Sequence, residues 1–99
     1  MSNFDSGQRY VTKGINESIP FDLVIFMWSV IDELKATRKL DYLQVFTLKI
    51  NKKIQVIEHR QEVPPYSKTY NILYENPIAA KIFVIDDGDH ETMLLAEEY

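Results

Sequence analysis

The chain contains no cysteine, which excludes disulfides and every cysteine-based zinc or redox site. It has three glycines, at 7, 14 and 88, too few and too scattered to write a phosphate-cradling loop of either common type. It has no G-x-S-x-G, so Ser29 and Ser67 lack the setting of a nucleophile. The longest apolar run, Leu23 to Trp28, falls far short of the about 20 residues that span a bilayer. Positive charge is not in excess: the net charge is −4, which argues against a duplex DNA partner bound through its phosphates. The opening "MSNFDSGQRY" lacks the basic start and apolar stretch of an export signal, and the triplet Asn16-Glu17-Ser18 carries no weight without one. These absences lead to an expected cytoplasmic protein with no membrane association and no cofactor.

What is present is a globular composition: 45% hydrophobic, 12% aromatic and 26% charged over 99 residues, enough for one core and too short for two. We expect a single α+β domain over residues 9–99, preceded by a frayed N-terminus over 1–8. "RYVTKGI" (Arg9–Ile15) reads as a first strand. Ser18 or Asn16 then caps a helix over Pro20–Thr37, with Asp22 at the positive end of its dipole and Thr37, Arg38 and Lys39 at the far end. At 100° per residue Leu23, Met27, Val30, Ile31 and Leu34 share the core face, with Phe26 at its edge. Phe21, Ile25 and Trp28 form a second apolar patch on the opposite side. A helix apolar on both sides must bury both, so this patch is covered by residues 60–79 or a neighbouring strand, or else by another chain.

Two hairpins follow. In Leu43–His59, a three-residue loop Asn51–Lys53 pairs Ile50 with Ile54 and Leu48 with Val56, and places His59 on the outer face near Val45. In Ala80–Glu97, a four-residue loop Asp87–His90 pairs Val84 with Met93, Ile82 with Leu95 and Phe83 with Leu94. Gly88 supplies a positive φ there. Both faces of this hairpin are apolar, which predicts a central place in the sheet. Between the hairpins Tyr66, Tyr70 and Tyr74 fit helical spacing, while Tyr70, Ile72 and Tyr74 fit strand alternation. The flanking prolines and the aromatic content favour a strand. The expected fold is a mainly antiparallel sheet of five or six strands, with one long helix packed on one face.

Three features carry chemistry. Asp86, Asp87, Asp89, His90 and Glu91 crowd one hairpin tip, and His59 is the other imidazole. The tip fails the calcium-loop pattern, because Thr92 stands where the sharp-turn glycine belongs. It fails H-E-x-x-H as well, because Leu94 replaces the second histidine. Nor does charge demand a metal: exposed carboxylates about 5 Å apart repel by only ~0.8 kcal/mol in water. A solvated acidic turn that discourages edge pairing is the plainer reading, and a small metal-assisted enzyme the alternative. His59 would need a carboxylate beside it in a pocket to act as an acid or base. Lys49, Lys52 and Lys53 make a basic loop that could touch RNA, though without interleaved aromatics. The Phe21–Ile25–Trp28 patch is the strongest interaction signal. It points to a non-enzymatic interaction or regulatory module with a protein partner or a second copy of itself.

The stretches "RYVTKGIN", "LDYLQVF", "HRQEVP" and "AKIFVIDDGDHETMLLAEEY" resemble domain-of-unknown-function family 960, short proteins of Firmicutes. The likeness runs from Arg9 to Tyr99. It implies an intracellular bacterial protein with a small α+β fold, and it brings no activity, substrate or catalytic residue.

Overall fold

The computed structural model describes residues 8–99, so the fraying expected of the first residues lies, apart from Gln8, outside the described part. Gln8 itself opens a strand. The elements in chain order are β1 (Gln8–Val11), α1 (Lys13–Ser18), α2 (Phe21–Lys35), β2 (Leu43–Asn51), β3 (Ile54–Gln61), β4 (Tyr66–Leu73), β5 (Ala80–Asp86), β6 (His90–Leu95) and a 3-10 turn, Ala96–Glu98. The described strands form one six-stranded sheet in the order β1-β6-β5-β2-β3-β4. All neighbours are antiparallel except β1, which runs parallel to β6.

The first strand is shorter than the Val, Tyr and Thr content suggested. Thr12 ends it: its backbone is extended and its hydroxyl accepts from Ile15 N at 3.3 Å, so Lys13 to Ser18 become a short helix. Asn16 and Ser18 therefore belong to α1 and do not cap α2. The N-cap of α2 is Pro20, with no side-chain cap bond, and Asp22 sits in its first turn as expected. Leu23, Met27, Val30, Ile31 and Leu34 are all buried against the sheet, as the 100° periodicity requires, and Val24 joins them.

The β2–β3 turn corrects an expected register. Its loop is the two residues Lys52–Lys53, with Lys52 at φ 56°, and the pairs are Ile50 with Gln55, Leu48 with Ile57 and Phe46 with His59. A left-handed lysine costs about 1–2 kcal/mol. Leu48 stays on the helix side and Ile57 joins it there, where the expected register would have placed Val56 and Ile54. The buried Gln55 amide, bonded to Ile78 O and Ile78 N, offsets that cost. His59 is consequently not on the outer face near Val45. It lies fully buried beneath the helix layer.

The β5–β6 hairpin has the expected pairs, Val84 with Met93, Ile82 with Leu95 and Phe83 with Leu94. Gly88 adopts φ 99° in its loop, and both strands are interior to the sheet. Residues Tyr66–Leu73 are a strand, as the aromatic content favoured. They do not cover the Phe21–Ile25–Trp28 patch. Strand β4 packs on the other flank of α2, where Phe26 meets Tyr70 edge-on at 5.2 Å, and the Tyr74 hydroxyl donates to Asp22 Oδ1 at 2.7 Å.

Candidate functional site

The patch divides in the folded chain. Trp28 is only 8% exposed, whereas Phe21 is 76% and Ile25 50% exposed. Part of the cover over Trp28 is a cation: the Arg9 guanidinium stacks 4.5 Å from its ring centre. Arg9 is held there by Asp32 and by Glu91, whose Oε1 accepts from Nε at 2.8 Å. Glu91 also binds Lys35 at 2.7 Å. Burial alone would raise the Glu91 pKa, but the bonds from Lys35 and Arg9 outweigh it and hold the carboxyl below its usual range.

Beside this cluster, α1 and α2 enclose a cleft of about 170 Å³. Its floor is Ile15, Ile19, Val24 and Trp28, all buried. Its lips are Val11, Phe21 and Ile25, all exposed, with Asn16 as a polar rim. The cleft exists because α1 packs against β6. Glu98 fixes it there, accepting from Thr12 Oγ1 at 2.6 Å, Leu95 N at 2.8 Å and Gly14 N at 3.1 Å. Gly14 leaves room for that carboxylate, since a Cβ there would stand 2.5 Å from Glu98 Oε2.

The acidic tip is arranged differently. Asp86 Oδ1 accepts from Gly88 N at 2.9 Å, while Asp87 Oδ1 accepts from Asp89 N and His90 N at 3.1 and 3.0 Å. His90 Nε2 lies 3.0 Å from Asp87 Oδ2. These bonds, led by the one from the His90 amide, lower the Asp87 pKa. The carboxylates thus hold the turn itself. Glu91 points the other way, into the Arg9–Lys35 clamp. Among the described residues no group of three or more His, Asp or Glu side chains is placed to hold a metal ion.

His59 is brought to none of these acids, and β2 lies between its strand and β5. Its ring stacks on Phe46 at 4.4 Å. Gln44 donates through Nε2 to Asp41 O and Gln61 Oε1 at 2.9 and 2.8 Å, so its Oε1 is the acceptor for His59 Nε2 at 2.7 Å. That fixes the proton on Nε2 and leaves buried Nδ1 without a partner among the described residues. Burial pushes the imidazole pKa down to about 4. A neutral ring with no carboxylate beside it is a packing group, not an acid–base pair. In the basic loop, Lys49 pairs with Glu58 at 3.0 Å, while Lys52 and Lys53 form the exposed turn.

Sequence reasoning missed Gln55. It is fully buried, and its side-chain amide takes the place of a strand. Nε2 donates to Ile78 O at 2.9 Å, and Ile78 N donates to Oε1 at 2.8 Å. The β2–β5 ladder ends at Leu48 with Ala80, so Gln55 supplies the next rung. The usable signal was a glutamine alternating in phase with Ile57, His59 and Gln61, a polar stripe on one strand face.

With this arrangement in view, the family described as Staphylococcal protein of unknown function (DUF960) matches residues 8–98. The chain belongs to this family. A solved structure described as the protein of unknown function from Enterococcus faecalis shares 31% identity, over 100% of this chain and 97% of that one, with a TM-score of 0.85. No curated protein gives a significant match. The family resemblance and the mainly antiparallel α+β fold expected of the chain both hold. None of the described helices is long and apolar enough to cross a membrane.

Proposed function

We propose that this member of the family is a non-catalytic, cytoplasmic protein-interaction module. It takes one large apolar side chain of a partner polypeptide into the cleft between α1 and α2. The supporting observation is the match between an apolar floor and a volume of about 170 Å³. Apolar cavities of roughly 150 Å³ accept benzene, so one Phe-sized or Leu-sized anchor fits and a flat helical surface does not. Phe21 and Ile25 at the lips would close over the anchor, each large apolar side chain gaining about 1.5–3 kcal/mol when fully covered. The absence of cysteine suits a reducing compartment.

Benzyl alcohol is a suitable benzene-sized probe. Saturable amide and indole shifts should be confined to Val11, Ile15, Ile19, Val24 and Trp28, and should vanish in Ile25→Glu. Selection from a displayed random-peptide library should then enrich sequences with one large apolar residue on the wild type and not on Ile25→Glu. Probe shifts spread evenly over the surface, or an Ile25→Glu chain that selects the same peptides, would refute the assignment.

A further inference from the structure

The two edges of the sheet are protected unequally. Among the described residues β1 is four residues long, and short edge strands resist pairing with other chains. β4 has eight residues, Tyr66–Leu73, with no proline and no bulge in its ladder to β3. Its single charge is Lys68.

Its free groups can be counted from the register. The two-residue turn closes on Asn51 and Ile54, a pair that exchanges both backbone bonds, and bonding direction alternates from there. Ile54, Val56, Glu58 and Arg60 therefore bond to β2, while Gln55, Ile57, His59 and Gln61 bond to β4. Their partners are Ile72, Tyr70, Lys68 and Tyr66. The N–H and C=O groups of Ser67, Thr69, Asn71 and Leu73 are left pointing outward. All four residues are exposed, Leu73 at 80%, and no hydrogen bond reaches their backbones among the described residues.

We propose that two copies of this chain pair antiparallel through β4, forming one continuous twelve-stranded sheet about a two-fold axis at Tyr70. In this register Thr69 bonds with Asn71 of the second copy, and Ser67 with Leu73 of the second copy. Tyr70 faces its own counterpart across a non-bonded pair, where side chains stand closest. Lys68 stands opposite Ile72 of the second copy, so the two lysines do not meet. Each Lys68 also lies diagonally beside the other copy's Tyr70. That tyrosine shares a groove of about 300 Å³ between α2 and β4 with Val30, Glu33, Thr37 and the Lys68 of its own chain, and the second copy's β4 would partly cover it. The axis stands perpendicular to the sheet, which keeps both α2 helices on one face. Seven paired residues fall short of the about 800 Å² per partner of a standard interface. The grooves beside the axis add contact area, and micromolar self-association is expected.

Sedimentation of the full chain from micromolar to millimolar concentration tests this. The wild type should pass from monomer to dimer. Thr69→Pro removes an outward N–H at an edge, where proline is tolerated. It should remain monomeric, with its near-ultraviolet dichroism retained. Because the chain has no cysteine, Tyr70→Cys should oxidise to a single disulfide-linked dimer, whereas Lys68→Cys should not. Ile25→Glu, which alters the cleft alone, should dimerise normally. A wild type monomeric at millimolar concentration, or a dimer broken by Ile25→Glu and not by Thr69→Pro, overturns the proposal. Crosslinking at 68 and not at 70 overturns the register.

Discussion

Replacing Gln55 by leucine tests the side-chain rung. Leucine nearly preserves the volume and removes all four bonds of the amide. Two of these, to Lys49 O at 3.1 Å and Val56 O at 3.3 Å, go to carbonyls that also accept within the β2–β3 ladder, so their loss costs little. The other two leave Ile78 N and Ile78 O without a partner. An orphaned buried group costs about 1–3 kcal/mol. Ile78 is only half-buried, so water reaches it and the lower half of that range applies. The expected loss is about 3 kcal/mol for the pair, and at roughly 4–8 °C per kcal/mol for a domain of this size the Tm should fall by about 12–24 °C. Urea unfolding at pH 7 reads the loss as a lower midpoint with an unchanged slope. Arg60→Leu, an exposed change on the same strand, serves as control and should stay within about 0.5 kcal/mol. Native-state hydrogen exchange locates the effect: the Ile78 amide should lose protection before its neighbours in β5. A Gln55→Leu chain as stable as Arg60→Leu, with Ile78 still protected, would show that the rung contributes nothing.

Glu91→Gln should cost about 2 kcal/mol. That is below the 3–5 kcal/mol of a fully buried broken pair, because Arg9 and Lys35 keep partial access to water. Since the Glu91 pKa is lowered on folding, its contribution is complete above about pH 4.3 and is lost as pH falls through the folded value. The stability difference from wild type should therefore shrink in acid. His59 should keep its Nε2–H neutral form from pH 8 to pH 5 in nitrogen-15 spectra. With a folded pKa of about 4 against about 6.5 unfolded, the unfolded chain takes up the proton first. Stability should drop by about 3 kcal/mol between pH 6.5 and 4, and a ring that titrates near 6.5 would contradict its burial. The Glu98 carboxyl is held below its usual pKa chiefly by the Thr12 hydroxyl, with the Leu95 and Gly14 amides. Gly14→Ala, by displacing it, should move its carbon-13 titration back towards the ordinary glutamate value.

Much of the architecture could be read from residue order. The core face of α2 followed from 3.6-residue periodicity. The β5–β6 hairpin followed because both of its faces are apolar and only one loop length matches them, and β4 from its aromatics between two prolines. The first hairpin misled for a specific reason. Ile54 and Val56 look like a core face, yet the buried side of β3 is Gln55, Ile57, His59 and Gln61. Alternation counts a glutamine as solvent-facing, because a sequence cannot show that a backbone donor and acceptor will meet it inside. The same blindness affected the other groups singled out. Asp87 and Glu91 are four residues apart in one acidic run, but one closes a turn and the other lies between two cations.

Local sequence determined α2 and the strands, where the chain turns, and which chemistries its missing residue types rule out; the helix Lys13–Ser18, read as a strand end and a cap, was not among them. Those properties depend on neighbours within a few positions. Three things were decided only when distant segments met. Arg9 came to lie over Trp28, which made one of the three side chains of an apolar patch into a wall. Glu98 locked α1 against the sheet, which opened a cleft that no run of residues contains. Gln55 met Ile78, which set the face that β3 buries. Each is a contact between residues at least 19 positions apart, fixed by hydrogen-bond and charge complementarity that exists only in the folded chain.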